Sequence, residues 1–335
     1  MFSRHAIGYC HNLFRAIAIA PLRLQDSWRL IARGDSQRIG SRQRDDSKRS
    51  RRVRPLLLIH YHIFKNAGTS FKWSIIDALG EKAFASYDSS SPQGFISRRD
   101  LTSFAVRHPE ITVLSSHQAA PPAPAIYGRE VFSSILIRDP IARIRSMYAF
   151  ECRQKASSRG AIMAKQLNFK RYVQWRLEET PSVLCNYQVY FCSRKPNDDI
   201  FLPGPERVEQ AIANFDNISI VGTVARYEEW LALTQKVLST ALPQLTLDVK
   251  RRNTTEANEP SEEQILGQLI TDLGEATAEY LLENNKLDMC LHQIADALLT
   301  RRLAEHGVRT TLHQTYSKVR QSWQSQQEPK SGPQS

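Results

Sequence analysis

A chain of 335 residues, 41% hydrophobic and 24% charged, can bury a sizeable core and reads as one large soluble α/β domain with extensions. Its five cysteines (Cys10, Cys152, Cys185, Cys192, Cys290) are widely spaced and hold no C-x-x-C pair, which argues against both a disulfide framework and a zinc site. The net charge of +11 is concentrated at one end: residues 1–54 carry 13 Lys and Arg against 4 Asp, leaving the rest nearly neutral.

Residues 1–54 therefore read as a basic, solvated, flexible arm; the competing use of such a charge run is a surface for polyanions or anionic lipid. Within it the apolar stretch LFRAIAIAPLRL (Leu13 to Leu24) is interrupted by Arg15 and Pro21. It falls short of the roughly 20 apolar residues of a spanning helix, so no transmembrane segment is expected. Arginines recur through the segment without a small-residue cleavage site, a poor fit to a signal peptide. Cytoplasmic, reduced thiols are the default expectation. Cys185 and Cys192 could pair if the chain is exported, and sequons at Asn217 and Asn253 would matter only in a eukaryotic secretory setting such as the Golgi lumen.

The segment 55–300 alternates β-rich and helical runs, which predicts an α/β, P-loop-like three-layer domain with a central parallel sheet flanked by helices. PLLLIHYHI (Pro55 to Ile63) is the first strand, and the helix after it repeats Phe71, Ile75 and Leu79 every four residues before stopping at Gly80. Residues 86–100 read as a loop, Glu110 to His117 as a second strand, and QAAPPAPAIYG as a break. Glu130 to Ile137 is a third strand that runs into Asp139, a helix cap, and Pro140, the first helical position. Helices are expected to about Leu184, a core strand over Asn217 to Val224, and a helix over EEWLALTQKVLSTAL. A polar loop containing Lys250, Arg251 and Arg252 precedes a capped helix, a terminal amphipathic helix or helix pair follows, and residues 301–335 hold a helix end and a disordered tail.

Two stretches carry chemistry. In FKNAGTS, Lys65 leaves the strand, Gly68 lets the backbone turn closely, and Thr69 and Ser70 stand where a helix begins, the parts of an anion cradle. Lysine precedes glycine here, unlike the order G-x-x-x-x-G-K-[ST] of nucleotide triphosphatases. In SILIRDPIARIRSMYAF, Arg138 ends a strand while Arg143 and Ser146 lie three residues apart on the next helix, so a charged fork and a hydroxyl can grip one phosphate from two sides.

Together HIFKNAGTS and RDPIARIRSMY resemble the two cofactor signatures of the PAPS-dependent sulfotransferases, closest to the carbohydrate branch with heparan and dermatan 2-O- and chondroitin 4-O-sulfotransferases. That family typically writes them H-I-P-K-T-G-G-T-S and R-D-P-x-x-R-x-x-S-x-Y. Further landmarks agree in order over residues 55–298: SSH (Ser115 to His117), LCNYQVYF (Leu184 to Phe191), IVGTVARYEEW (Ile220 to Trp230), KRRN (Lys250 to Asn253) and NNKLD (Asn284 to Asp288). Phe64, Asn66 and Ala67 replace the family's proline, threonine and first glycine, and Ala225 stands where glutamate is frequent.

The resemblance implies transfer of a sulfuryl group from 3′-phosphoadenosine 5′-phosphosulfate to a hydroxyl of a carbohydrate acceptor, with no metal and no nucleic-acid partner. Lys65, Asn66, Ala67, Gly68, Thr69 and Ser70 would hold the 5′-phosphosulfate, Lys65 also offsetting charge on the bridging oxygen. Arg138 and Ser146 would bind the 3′-phosphate. His117, at the end of a predicted strand, stands where glycan-modifying relatives carry a catalytic base; the alternative is a histidine that satisfies a loop carbonyl. His60 and His62 share one face of the first strand and read as packing residues. Two other functions remain open from the residues themselves: a P-loop kinase-like phosphotransferase, and a non-enzymatic polyanion-binding protein acting through the basic arm.

Overall fold

A strand buried on both faces needs an unbroken apolar run, and Leu56–Tyr61 (β1) is buried at all six positions. In the computed structural model, residues 55–91, 94–198, 203–243, 245–248 and 262–308 are described. The expectations for the basic arm, for Lys250 to Asn253 and for the tail beyond residue 308 lie outside the described residues.

After β1 come α1 (Gly68–Leu79), β2 (Phe84–Ser86), α2 (Arg98–Arg107), β3 (Val113–Ser116) and β4 (Glu130–Ile137). The chain continues through α3 (Pro140–Arg153), α4 (Arg159–Gln166), α5 (Phe169–Glu179), α6 (Pro181–Leu184), α7 (Tyr187–Ser193), α8 (Pro205–Phe215) and β5 (Ile220–Thr223). It closes with α9 (Tyr227–Leu238), α10 (Glu262–Leu273), α11 (Glu275–Glu283) and α12 (Lys286–Glu305). The sheet order is β2-β3-β1-β4-β5 and every pairing is parallel, the expected three-layer α/β architecture.

Alternate side chains of β1 serve the two faces. Leu56 and Leu58 join Phe71 and Ile75 of α1, Leu136, Ile220, Trp230 of α9 and Leu299 of α12 in one core. A second apolar cluster lies among the helices alone, with Ile141, Ile144 and Met147 of α3 against Tyr172, Leu184, Leu269 and Leu281. Gly80 ends α1 at φ 83°, a left-handed position that favours glycine. Asp139 caps α3 by accepting the Ala142 N–H at 2.7 Å, with Pro140 beginning the helix.

Three features depart from the sequence reading. Phe84–Ser86 is a short edge strand, and Arg98–Arg107 is a helix where a loop was expected to run to residue 100. Residues 187–193 and 205–215 add two helices. The thiols of Cys185 and Cys192 are both free and buried, which agrees with the default expectation of reduced cysteines.

The strand order fixes where a ligand can enter. The chain leaves β1 for the β2–β3 side and then crosses to β4, so the order reverses at β1. Crevices in open parallel sheets form at such a reversal, outside the carboxyl ends of the strands. The loops after β1, β3 and β4 all emerge on that edge.

Candidate functional site

The loop after β1 is held in an uncommon backbone shape. Lys65 (φ 69°) and Ala67 (φ 61°) are both left-handed, a conformation costing a non-glycine residue roughly 1–2 kcal/mol. Ala67 is the helix-preceding residue at the position where the sulfotransferase signature has glycine. No side chain caps α1, so the first-turn amides of Gly68, Thr69 and Ser70 face outward from the helix end. Gly68 is required by a close approach: a Cβ there would lie 1.9 Å from Nε2 of His62. Thr69 is exposed and Ser70 half-buried.

The ammonium of Lys65 lies 4.3 Å from the centre of the Phe150 ring on α3 and 5.9 Å from that of Phe64. Burial, then the guanidinium groups of Arg138 and Arg153, push Lys65 down from 10.5 to about 8. Arg138, in the loop after β4, donates from Nη1 to the Lys65 carbonyl at 3.0 Å. The two sequence motifs therefore meet at the carboxyl edge of the sheet. Ser146 is half-buried on α3, one turn before Phe150 and on the same helical face. Arg143 is fully buried, donating to the Val183 carbonyl at 2.6 Å and stacking on Tyr187, and takes no part in that meeting.

Asn66 does not face the ligand side. Its backbone N–H donates to Ile63 at 3.1 Å, and its buried Nδ2 donates to the Leu136 carbonyl and to Gln188 Oε1, both at 2.8 Å. It anchors the loop from behind.

His117 follows β3 and is exposed. Its Nδ1 lies 2.8 Å from the His62 carbonyl. A carbonyl only accepts, so Nδ1 is the donor in this bond. The loop-carbonyl contact of the sequence reading is thus present, made through Nδ1. The main chain is fixed by Asp88, which accepts the His117 N–H at 2.7 Å and the Ser116 hydroxyl at 2.9 Å. The ring lies on His62, centroids 3.9 Å apart. Burial, His117, His60 and Lys65 hold His62 well below its ordinary value. His60 is pushed to about 3 by burial and then by His117, and bonds Ser134 at 3.0 Å inside the core. Both are neutral packing residues.

Arg153 and Arg194 were not singled out in the sequence. Arg194 donates to the His117 carbonyl at 3.2 Å and stacks over Phe191 and Phe95. Neither arginine belongs to a local pattern; each reaches the site through helix packing. Among the described residues no group of three or more His, Cys, Asp and Glu is placed to hold a metal ion, and no helix is long and apolar enough to cross a membrane.

No family model matches the chain. An uncharacterized protein of Archaeoglobus fulgidus is similar to it, 22% identical over 242 residues that span 70% of this chain and 94% of that protein.

Proposed function

We propose that the chain is a sulfotransferase that uses 3′-phosphoadenosine 5′-phosphosulfate and a carbohydrate hydroxyl. The observation that carries this reading is the meeting of Lys65 and Arg138 at the sheet's reversal point, beside the uncapped start of α1, with the cations Arg138 and Arg153 acting on Lys65. A cationic edge of this kind suits a ligand with anionic groups at two ends.

Sulfuryl transfer asks for in-line placement and relief of charge on the leaving oxygen rather than covalent help from the protein. The amides of Gly68, Thr69 and Ser70 hold the 5′ end, and Lys65 balances the charge that develops on the oxygen bridging phosphorus and sulfur. Arg138 and Ser146 hold the 3′-phosphate. His117 Nε2 takes the acceptor's proton as the new O–S bond forms and the bridging S–O bond breaks, releasing adenosine 3′,5′-bisphosphate. Asn66 contributes by fixing the loop and not by contact. The cytoplasm is the compartment that goes with this reading.

The test is transfer of radiolabelled sulfate from the activated donor to a panel of glycans, lipids and phenols, with calorimetric binding of adenosine 3′,5′-bisphosphate alongside. Glycan labelling and bisphosphate binding are expected. Binding of ATP with magnesium in place of the bisphosphate would overturn the reading in favour of a phosphotransferase. His117→Gln is expected to cut turnover about 10²–10⁴-fold while leaving bisphosphate affinity unchanged.

A further inference from the structure

We infer that Gln188 is the positioning residue that sets the two anion-binding loops relative to one another. It is fully buried on the first turn of α7, far from either motif in sequence. Its side-chain amide pairs with both polar groups of Arg138: Oε1 accepts the Arg138 N–H at 2.9 Å and Nε2 donates to the Arg138 carbonyl at 2.7 Å. These two bonds fix which end of the amide is oxygen. They also continue the pairing of β4 one residue past its end at Ile137, with a side chain in place of a neighbouring strand.

The same Oε1 accepts from Asn66 Nδ2 at 2.8 Å. Asn66 stands between Lys65 and Ala67, the two left-handed residues, so the bond to Gln188 pins the strained loop at its middle. Gln188 is itself held: its backbone N–H donates to Asp288 Oδ2 at 3.0 Å and that of Val189 to Asp288 Oδ1 at 2.8 Å. In return Asn186 Oδ1 accepts the N–H groups of Leu287 and Asp288, at 3.1 and 3.2 Å. The helices α7 and α12 thus cap each other, and the tie ends on Arg138 and Asn66. LCNYQVYF and NNKLD, distant in sequence, form one device.

Two substitutions and two measurements test this, and only the ligand measurement rests on the nucleotide reading. Gln188→Met keeps the size and removes the side-chain bonds to Arg138, Asn66 and Asp288 together. In the ligand-free chain, amide exchange at Arg138 and over residues 65–68 is expected to quicken together, and the Kd for adenosine 3′,5′-bisphosphate to rise about tenfold. Gln188→Glu keeps the acceptor but sets a carboxylate against the Arg138 carbonyl and Asp288. Facing that position are Arg138 from the loop after β4, Asp288 from α12 with Arg143 of α3 acting on it, and the Asn66 amide from the first loop. Next to Asn66 is Lys65, whose charge interacts with that of Arg138. The Kd is expected to rise about 30-fold near pH 8 and to recover at about pH 5.5, relative to the unsubstituted chain, as the introduced carboxyl regains a proton and can donate.

A merely structural role would not give that acid recovery. Wild-type exchange in both loops of Gln188→Met, or wild-type affinity in either variant, would overturn the inference. So would a Gln188→Met chain that cannot fold, since the residue would then be a core determinant. If the unsubstituted chain ignores the bisphosphate, the nucleotide reading fails while the exchange measurement still decides the role of Gln188.

Discussion

Consecutive residues of α3 meet two cations in opposite ways. Glu151 gives Arg176 a full partner: Nη2 lies 2.8 and 3.0 Å from the two carboxylate oxygens, and the Tyr172 hydroxyl donates to Glu151 at 2.5 Å while accepting from Arg176 Nε at 3.0 Å. Phe150 gives Lys65 only the face of a ring, and the other charges acting on that lysine are Arg138 and Arg153. Arg176 and Glu151 are both about 90% buried and mutually satisfied, so their cluster is structure. Among the described residues the charges acting on Lys65 are cations, the setting that the proposed anionic ligand would suit.

The contrast breaks most sharply by removing each cation's side of the arrangement. Lys65→Ala should cost about 10³–10⁵ in turnover, the scale set by cations that stabilise charge in phosphoryl transfer, without lowering stability near pH 7. The stability half of this follows from sign. A lysine whose folded value lies below its unfolded one opposes folding while charged, and that opposition fades only as pH rises through about 8. Turnover assays paired with urea unfolding check both halves. An inactive Lys65→Ala that is also strongly destabilised would make Lys65 a structural residue like Arg176.

Glu151→Gln is the counterpart. It strands the Arg176 charge in a buried place, a loss of about 3–5 kcal/mol of stability measurable in urea. In the protein that remains folded, bisphosphate affinity should stay within about threefold of the original, since no bond of this cluster reaches Lys65 or Arg138.

Much of this division can be seen in the sequence, though not all. β1, β4, α1 and the start of α3 are announced by local signals: an apolar run, a four-residue repeat, Gly80 as a stop, Asp139 and Pro140 as a start. β4 has the expected ends, and the loops carrying Lys65 and Arg138 follow from those strands. β2 offers three half-exposed or exposed residues and no pattern to read. α2 does carry a signal, the reciprocal Ser97 and Asp100 capping box, but only Leu101 and Ala105 of its ten residues are buried and its apolar repeat is faint. Asn66 shows the limit most plainly. Its place within the loop motif suggests a ligand contact, whereas the groups that claim it are 70 and 122 residues away. Partners at such separations leave no local trace, and the same is true of Arg153, Arg194 and Gln188.

The mildest expected effect sharpens the comparison without any substitution. Near pH 8 about half of the ligand-free molecules hold Lys65 neutral, because burial and two guanidinium groups disfavour its charge. A bound anion reverses the balance and draws the lysine back toward its ordinary 10.5, so binding must take up a proton. The uptake should be about half a proton at pH 8, approach one near pH 9 and vanish below about pH 7. Calorimetry in two buffers of different ionisation enthalpy reads it directly. Over the same range the bisphosphate Kd should begin to rise near pH 8 and climb up to about tenfold per unit above it. Arg176, already matched by Glu151, offers no such response. A Kd that stays flat between about pH 7 and 9.5, with no buffer dependence of the heat, would mean that the anion does not sit against Lys65, and the two cations that α3 meets would no longer be distinguished by what they await.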